Sequence, residues 1–414
     1  MTDSEGLSRR ALTFLIAFAG VVFGYALISV LPHEAADEGF HTPQIWEFYN
    51  HHYTLSDNLA MIPFYHYVMA TVVRQIGVFD IDLIRFLSLA VSLLILPVFY
   101  SLTRLLRPQA AETRWLQFFF LPLLFPFFFL IYTDVWALLA ILYAIVLALQ
   151  RRYLLSATLG LIAVLLKQTN VLWLGFAFVL VLFEDPSLLS TLKDNWLLGI
   201  RTLVTKCLRH GWPYLVVFGL FGLFVYYNHG VAMGDRALQQ AHFNPTNLYF
   251  FLICAWAVFL PSNLENLPAV FRLLRKPLVV AALVAGFFIY LGTYSNTHQY
   301  NQPGLSFYLR NRLLDVMTRS VTWRAVLYLP AAWMLLSLAA MRLPEKRYYW
   351  LYLFIPLSIV FLPLIEVRYY FSAFALLLAV QPACRPTTNF VTLSYYLCAS
   401  SFLVYSIAMQ RFFI

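Results

Sequence analysis

Two adjacent carboxylates, a histidine and an amide fall within the eight residues Asp37-Glu38-Gly39-Phe40-His41-Thr42-Pro43-Gln44, just after the first long apolar run. The chain is otherwise poor in charge, at 11% of 414 residues. Ionised groups in or beside a bilayer are costly, so such a cluster points to function more than to a merely solvated loop. A carboxylate held at the water boundary can accept a proton from a hydroxyl as general base. Neighbouring positions on a helix do not share a face, so Asp37 and Glu38 divide the work, one as base and the other orienting or capping.

Four more clusters carry chemistry. Tyr132-Thr133-Asp134 puts a carboxylate at the outer end of a span, where it reads equally as an N-cap or as part of a site. Lys167-Gln168-Thr169-Asn170 separates two short apolar runs, and a cation at that depth wants an anion, either a lipid phosphate or Asp134. The stretch from Asn228 to Arg236 joins a glycine-containing turn to Asp235 and Arg236, with an ordinary polar loop as its plainer reading. Glu366-Val367-Arg368-Tyr369-Tyr370 closes another span, and the fixed donor fork of Arg368 suits a phosphate. The sequence has no GxxxxGK[ST], HExxH, long glycine-rich loop or paired DxD cluster, so metal-free chemistry is the expectation. Cys207, Cys254, Cys384 and Cys398 have no CxxC spacing and read as buried thiols.

The elements that must position these groups are membrane spans. The chain is 62% hydrophobic and 18% aromatic, whereas soluble proteins carry about 25% charged residues. Its net charge of +9 comes from Lys and Arg scattered through short loops, which encodes topology and argues against nucleic acid. A span needs roughly 20 apolar residues. Thirteen candidate runs follow: 11–31, 86–103, 115–131, 135–150, 153–166, 171–183, 212–228, 247–261, 278–294, 322–341, 348–365, 371–382 and 390–409. The first is too long for a signal-peptide core and reads as a retained span. No internal repeat is visible. With the N-terminus in the cytoplasm, 18 of the 28 Lys and Arg residues fall on the inner side. The acidic and mixed motifs then share the outer face. The first outer loop, 32–85, is too long for a connector and too aromatic for disorder, and Gln44–Tyr49 and Pro63–Val68 read as short interfacial helices.

These pieces, in this order, resemble the alpha-1,2-glucosyltransferase family that adds the last glucose to the dolichol-linked oligosaccharide precursor of N-glycans. Its first-loop pattern D-E-x-F-H-x-P-Q is matched by Asp37, Glu38, Phe40, His41, Pro43 and Gln44. Y-T-D-V is matched by Tyr132 to Val135, and R-Q-T-N-x-x-W by Gln168, Thr169, Asn170 and Trp173, with Lys167 in place of the arginine. G-D-[KR] is matched by Gly234, Asp235 and Arg236, and E-x-R-Y-Y by Glu366, Arg368, Tyr369 and Tyr370. The W-D-P-like run keeps Asp57, Pro63 and Tyr67. The A-D-N-R-H-Y-T-F-Y stretch is reduced to Pro303–Tyr308, where only Phe307 and Tyr308 survive, with His298 a few residues earlier.

The resemblance implies an all-α polytopic membrane protein of the GT-C type, one transmembrane domain over 1–414 with about 12–13 spans. It implies an inverting transfer of glucose from a polyprenyl (dolichyl) phosphate to a lipid-linked oligosaccharide, without cofactor, metal or obligate protein partner. Asp37 is then the expected base, with Glu38 next. Lys167 and Arg368 are expected on the donor phosphate, with Arg236 and His298 in reserve. His41, Gln44, Asp57, Asp134, Gln168, Asn170, Asp235 and Glu366 are expected to position sugar and acceptor or to hold the cations. The expected address is the endoplasmic reticulum membrane in a eukaryote or the plasma membrane in a prokaryote, with the site on the lumenal or extracytoplasmic face. A flippase for a lipid-linked sugar, a GT-C enzyme with another sugar or acceptor, and an inactive scaffold are the competing readings.

Overall fold

The computed structural model describes residues 3–31, 33–302 and 311–413, with side chains from Ala11 onward. The Pro303–Tyr308 stretch, with Phe307 and Tyr308, lies outside the described residues. Among the described residues every regular element is helical. The chain opens with α1 (Asp3–Ile28), α2 (Glu38–Tyr49), α3 (Phe64–Ile76), α4 (Ile81–Ser92), α5 (Ile95–Leu106), α6 (Ala111–Phe119), α7 (Thr133–Leu149), α8 (Tyr153–Leu166) and α9 (Asn170–Leu182). It continues with α10 (Leu188–Asp194), α11 (Trp196–Lys206), α12 (Trp212–Asn228), α13 (Thr246–Val258), α14 (Leu260–Glu265), α15 (Leu267–Leu274) and α16 (Pro277–Thr293). It closes with α17 (Arg312–Arg319), α18 (Val321–Ala340), α19 (Leu351–Ile359), α20 (Phe371–Val380) and α21 (Pro386–Ala408).

Ala11–Ile28, Ile81–Leu106, Trp196–Asn228, Val321–Ala340 and Pro386–Ala408 are long and apolar enough to cross a membrane. The pair α15–α16 reaches that length and apolarity only taken together across a 94° bend, and α7, α8, α9, α13 and Val367–Val380 are shorter apolar helices. The protein is therefore a multi-pass membrane protein. The runs 115–131 and 348–365 are broken at prolines. The run 115–131 breaks after α6 around Pro122 and Pro126, leaving a 3-10 turn at Phe125–Phe128. The run 348–365 is a 3-10 turn, then α19 with Pro356 inside, then a coil containing Pro363. Proline lacks the N–H that would continue the ladder, so these segments turn instead of spanning.

Local chemistry sets the other boundaries. Asp80 caps α4 by accepting from Leu83 N–H, and Asn311 and Ser320 do the same for α17 and α18. Gly77 ends α3 at φ +83°, a conformation glycine adopts without penalty. The first outer loop does hold helices, but the earlier one begins at Glu38, not Gln44, so the acidic motif sits at a helix start.

A helix that is apolar all round belongs in the interior. Every residue of α20 is buried, and α7 is buried along most of its length. Phe118, Phe119, Phe125, Phe127 and Phe128 pack around them as an aromatic core. The two most enclosed helices thus begin at Asp134 and just after Arg368, and their packing anchors those two side chains.

Candidate active site

Five of the segments that line one cavity of about 100 Å³ supply its charged groups. Asp37 precedes α2, Asp134 lies in the first turn of α7, Lys167 sits at the break between α8 and α9, and Arg368 enters α20 through a 3-10 turn. The fifth, the loop after α12, supplies Asp235, and His41, Tyr300 and Tyr369 complete the walls.

Arg368 is the hub. Its Nη1 is ion-paired with Asp37 Oδ2 and lies 3.8 Å from Asp134 Oδ2, while its Nε is 2.5 Å from Glu366 Oε2. Lys167 Nζ is ion-paired with the other oxygen of Asp134 and stands 4.8 Å over the ring of Tyr369. Three carboxylates therefore share two cations in a largely buried space. Burial raises the Glu366 carboxyl to about 7, because one guanidinium divided among three acids does not offset full desolvation. Glu366 and Arg368 sit two apart yet touch, since the backbone there is a 3-10 turn entered from an extended residue and not an α-helix.

Glu38 departs from its expected place as alternative base. It is fully buried, and Arg85 grips it through Nη2 at 2.7 Å and Nε at 3.1 Å. The N–H groups of Ile131 and Ala35 each donate to it at 2.8 Å. A carboxylate so satisfied binds α2 to α4 and to the segment before α7. Nor does Asp134 cap α7; that helix start has no side-chain cap bond, and both Asp134 oxygens face cations.

Several expected positioning residues instead pin the walls. Gln44 donates to Thr54 O at 3.0 Å and accepts from Ser56 N at 2.8 Å. Gln168 donates to Ala60 O and Val231 O, both at 3.3 Å, and Asn170 to Ala163 O at 3.1 Å. The side chain of Asp57 is exposed; its carbonyl accepts the Asp235 N–H, beside the bonds Met233 N to Ala60 O and Gly234 N to Leu59 O. Arg236 points away and closes its own loop on Met233 O and Asn228 Oδ1. His298 is no phosphate cation, since burial lowers its imidazole and its Nε2 bonds Leu238 O at 3.1 Å. It also accepts from the Tyr300 N–H, and the Tyr300 hydroxyl reaches Asp235 Oδ2 at 3.4 Å.

His41 lines the cavity and contacts His66, ring nitrogen to ring nitrogen at 2.8 Å. Burial pushes the His41 imidazole down to about 4 and His66 well below its ordinary value, so both are neutral at pH 7. Sequence reasoning passed over His66, Arg85 and Tyr300. Arg85 left one usable signal, a lone arginine heading the apolar run 86–103.

Comparison with known proteins bears on the whole of this arrangement. A family model for the DIE2/ALG10 family matches residues 31–379. A human protein named Dol-P-Glc:Glc(2)Man(9)GlcNAc(2)-PP-Dol alpha-1,2-glucosyltransferase is 25% identical, over 87% of this chain and 89% of its own. A protein of the same name from Arabidopsis thaliana is 24% identical over 88% of each chain. The crystal structure of ArnT from Cupriavidus metallidurans bound to undecaprenyl phosphate aligns with 97% of this chain and 78% of its own, at a TM-score of 0.47 and 15% identity.

Proposed function

The chain belongs to the DIE2/ALG10 family, and on that premise we propose that it moves glucose from a dolichyl-type polyprenyl phosphate to a lipid-linked oligosaccharide with an alpha-1,2 linkage. It is a membrane glucosyltransferase acting as a single transmembrane unit over 1–414, with its site on the lumenal or extracytoplasmic side. The bias of Lys and Arg toward the opposite side supports that sidedness.

In the reaction the acceptor hydroxyl attacks the anomeric carbon from the face opposite the phosphate. The new C–O bond forms as the old one breaks, the electron pair leaves on the phosphate oxygen, and the hydroxyl proton passes to Asp37. Arg368 and Lys167 offset the charge that develops on the leaving phosphate. Asp134 and Glu366 hold those cations in place, and Asp235 with Tyr300 borders the sugar. Glu38 is a structural carboxylate.

The observation that carries this reading is the ion pair of Asp37 with Arg368 beside Lys167. It implies an ordered use of charge. Without donor, Asp37 is held by Arg368. An arriving phosphate competes for that guanidinium and frees Asp37 to meet the acceptor hydroxyl. Polar groups clustered at helix ends around one cavity weigh against a flippase, which requires its ionisable groups near the midplane.

The test is sugar transfer by the purified protein in liposomes, with a short-chain polyprenyl-phospho-glucose and pooled lipid-linked oligosaccharides. Product from wild type and none from Asp37→Asn supports the assignment. Product from both proteins removes Asp37 as base. No product while labelled lipid crosses the bilayer replaces the enzyme with a flippase.

A further inference from the structure

A second and larger cavity, about 420 Å³, opens at the far ends of the helices that carry the active-site cluster. Arg107 at the end of α5, Arg272 on α15, Ser337 near the end of α18 and Arg342 just beyond it all line it. Arg368 and Asp134 lie at the opposite ends of α20 and α7, so the two cavities are on different faces of the protein.

We propose that this cavity is a binding site for a phosphate group, either carried on a lipid or free in solution. Three arginines, Arg272 and Arg342 of them exposed, line a space of ligand-binding size against the single carboxylate of Glu265. Glu265 is already engaged, accepting the Arg385 N–H at 3.2 and 3.3 Å. Arg107 is held in place by donating to Val380 O at 3.2 Å and Arg342 O at 2.7 Å, which uses two of its five N–H groups. Among the described residues, the side chains of Arg272 and Arg342 have no hydrogen bond or ion pair within the protein. Forks left open in this way fit the oxygens of a phosphate.

The second observation is independent of charge. Ser337 is 5% exposed, and its hydroxyl oxygen has no hydrogen-bond partner although it lines the cavity. Buried hydroxyls are almost always paired, so an orphan facing a cavity points to a ligand. Asn263, 3% exposed, lies on the same wall.

The location favours a lipid-borne phosphate. The helix α15 meets α16 at 94°, so a bilayer crossed by α16 runs parallel to α15, which carries Arg272. Phe259, Met334, Leu338 and Leu377 make the deeper wall apolar, as acyl chains require.

The experiment is native mass spectrometry of the full-length protein in detergent with dioctanoyl phosphatidic acid. Dioctanoylglycerol, which lacks the phosphate, and inorganic phosphate as competitor are the comparison arms. Arg272→Ala/Arg342→Ala is expected to weaken retention at least tenfold, since each removes charge-assisted hydrogen bonds. Lys167→Gln, at the other cavity, is expected to leave it unchanged, which separates this site from the donor site. The double variant's melting temperature without lipid should match wild type, because neither side chain bonds the fold. Competition by inorganic phosphate supports recognition of the phosphate itself. Arginine-dependent binding of inorganic phosphate alone assigns the site to a soluble phosphate. Equal retention of dioctanoylglycerol, or equal retention by wild type and double variant, overturns the proposal.

Discussion

Arg368 holds Asp37 through Nη1 and Glu366 through Nε, so one guanidinium neutralises the proposed base and a second, protonation-prone acid together. The arrangement is negative by one charge when all groups are ionised, with Asp37, Asp134 and Glu366 against Arg368 and Lys167. On the proposed scheme a donor phosphate displaces a carboxylate from these cations, and that carboxylate is Asp37.

Asp37→Asn should lower kcat by about two to four orders of magnitude, the range for loss of a general base. Donor KM should stay level or fall, because the phosphate no longer competes with a carboxylate for Arg368. Steady-state transfer assays with varied donor separate the two parameters, and a raised KM with unchanged kcat would contradict the scheme.

Arg368→Lys keeps a charge but gives up the fork that serves Asp37 and Glu366 at once. A large fall in kcat/KM is expected, with most of the loss in donor KM. Lys167→Arg, in contrast, preserves the charge at its place and should retain activity within about tenfold.

Glu38→Gln should act on stability and not on chemistry. It removes the buried partner of Arg85 and leaves only the half-exposed Asp82 at 3.4 Å; loss of one partner of a buried pair costs up to about 3–5 kcal/mol. Thermal unfolding in detergent should fall markedly, and Glu38→Leu/Arg85→Met should recover part of the loss.

Gly234→Ala tests the seam between the first loop and the loop after α12. A Cβ there would stand 2.5 Å from Asp57 O and 2.9 Å from Leu59 O, both backbone atoms that have nowhere to go. The wall carrying Asp235 should shift and raise KM several-fold, while Gly219→Ala, with nothing within 4 Å of its added Cβ, serves as control.

His41 gives a pH signature. Its folded value of about 4 lies below the unfolded value of 6.5, so between these the unfolded chain binds more protons. Stability from this group is complete above about pH 6.5 and is lost as pH falls toward 4, by about 3 kcal/mol in all. His41→Gln should flatten that part of a melting-temperature profile against pH.

The residue types of this site were legible because a lipid-solvated chain makes every ionisable group conspicuous. Asp37, Asp134, Lys167, Asp235, Glu366 and Arg368 stood out against the apolar runs, and the structure brings all six around one centre. The multi-pass class also follows from composition and the length of the apolar runs.

Local sequence could not say which of two adjacent acids lines the cavity and which is spent inside the fold. Asp37 and Glu38 are chemically alike, and their difference lies in Arg85 and the Ile131 N–H, brought in by other elements of the fold. The same holds for Gln44, Gln168 and His298, polar side chains whose partners are backbone groups of distant loops. Composition alone determines that charge in such a chain is costly and must be paired. Only the packing of α7 and α20 decides which charges meet, because pairing depends on distances that neither propensity nor periodicity encodes.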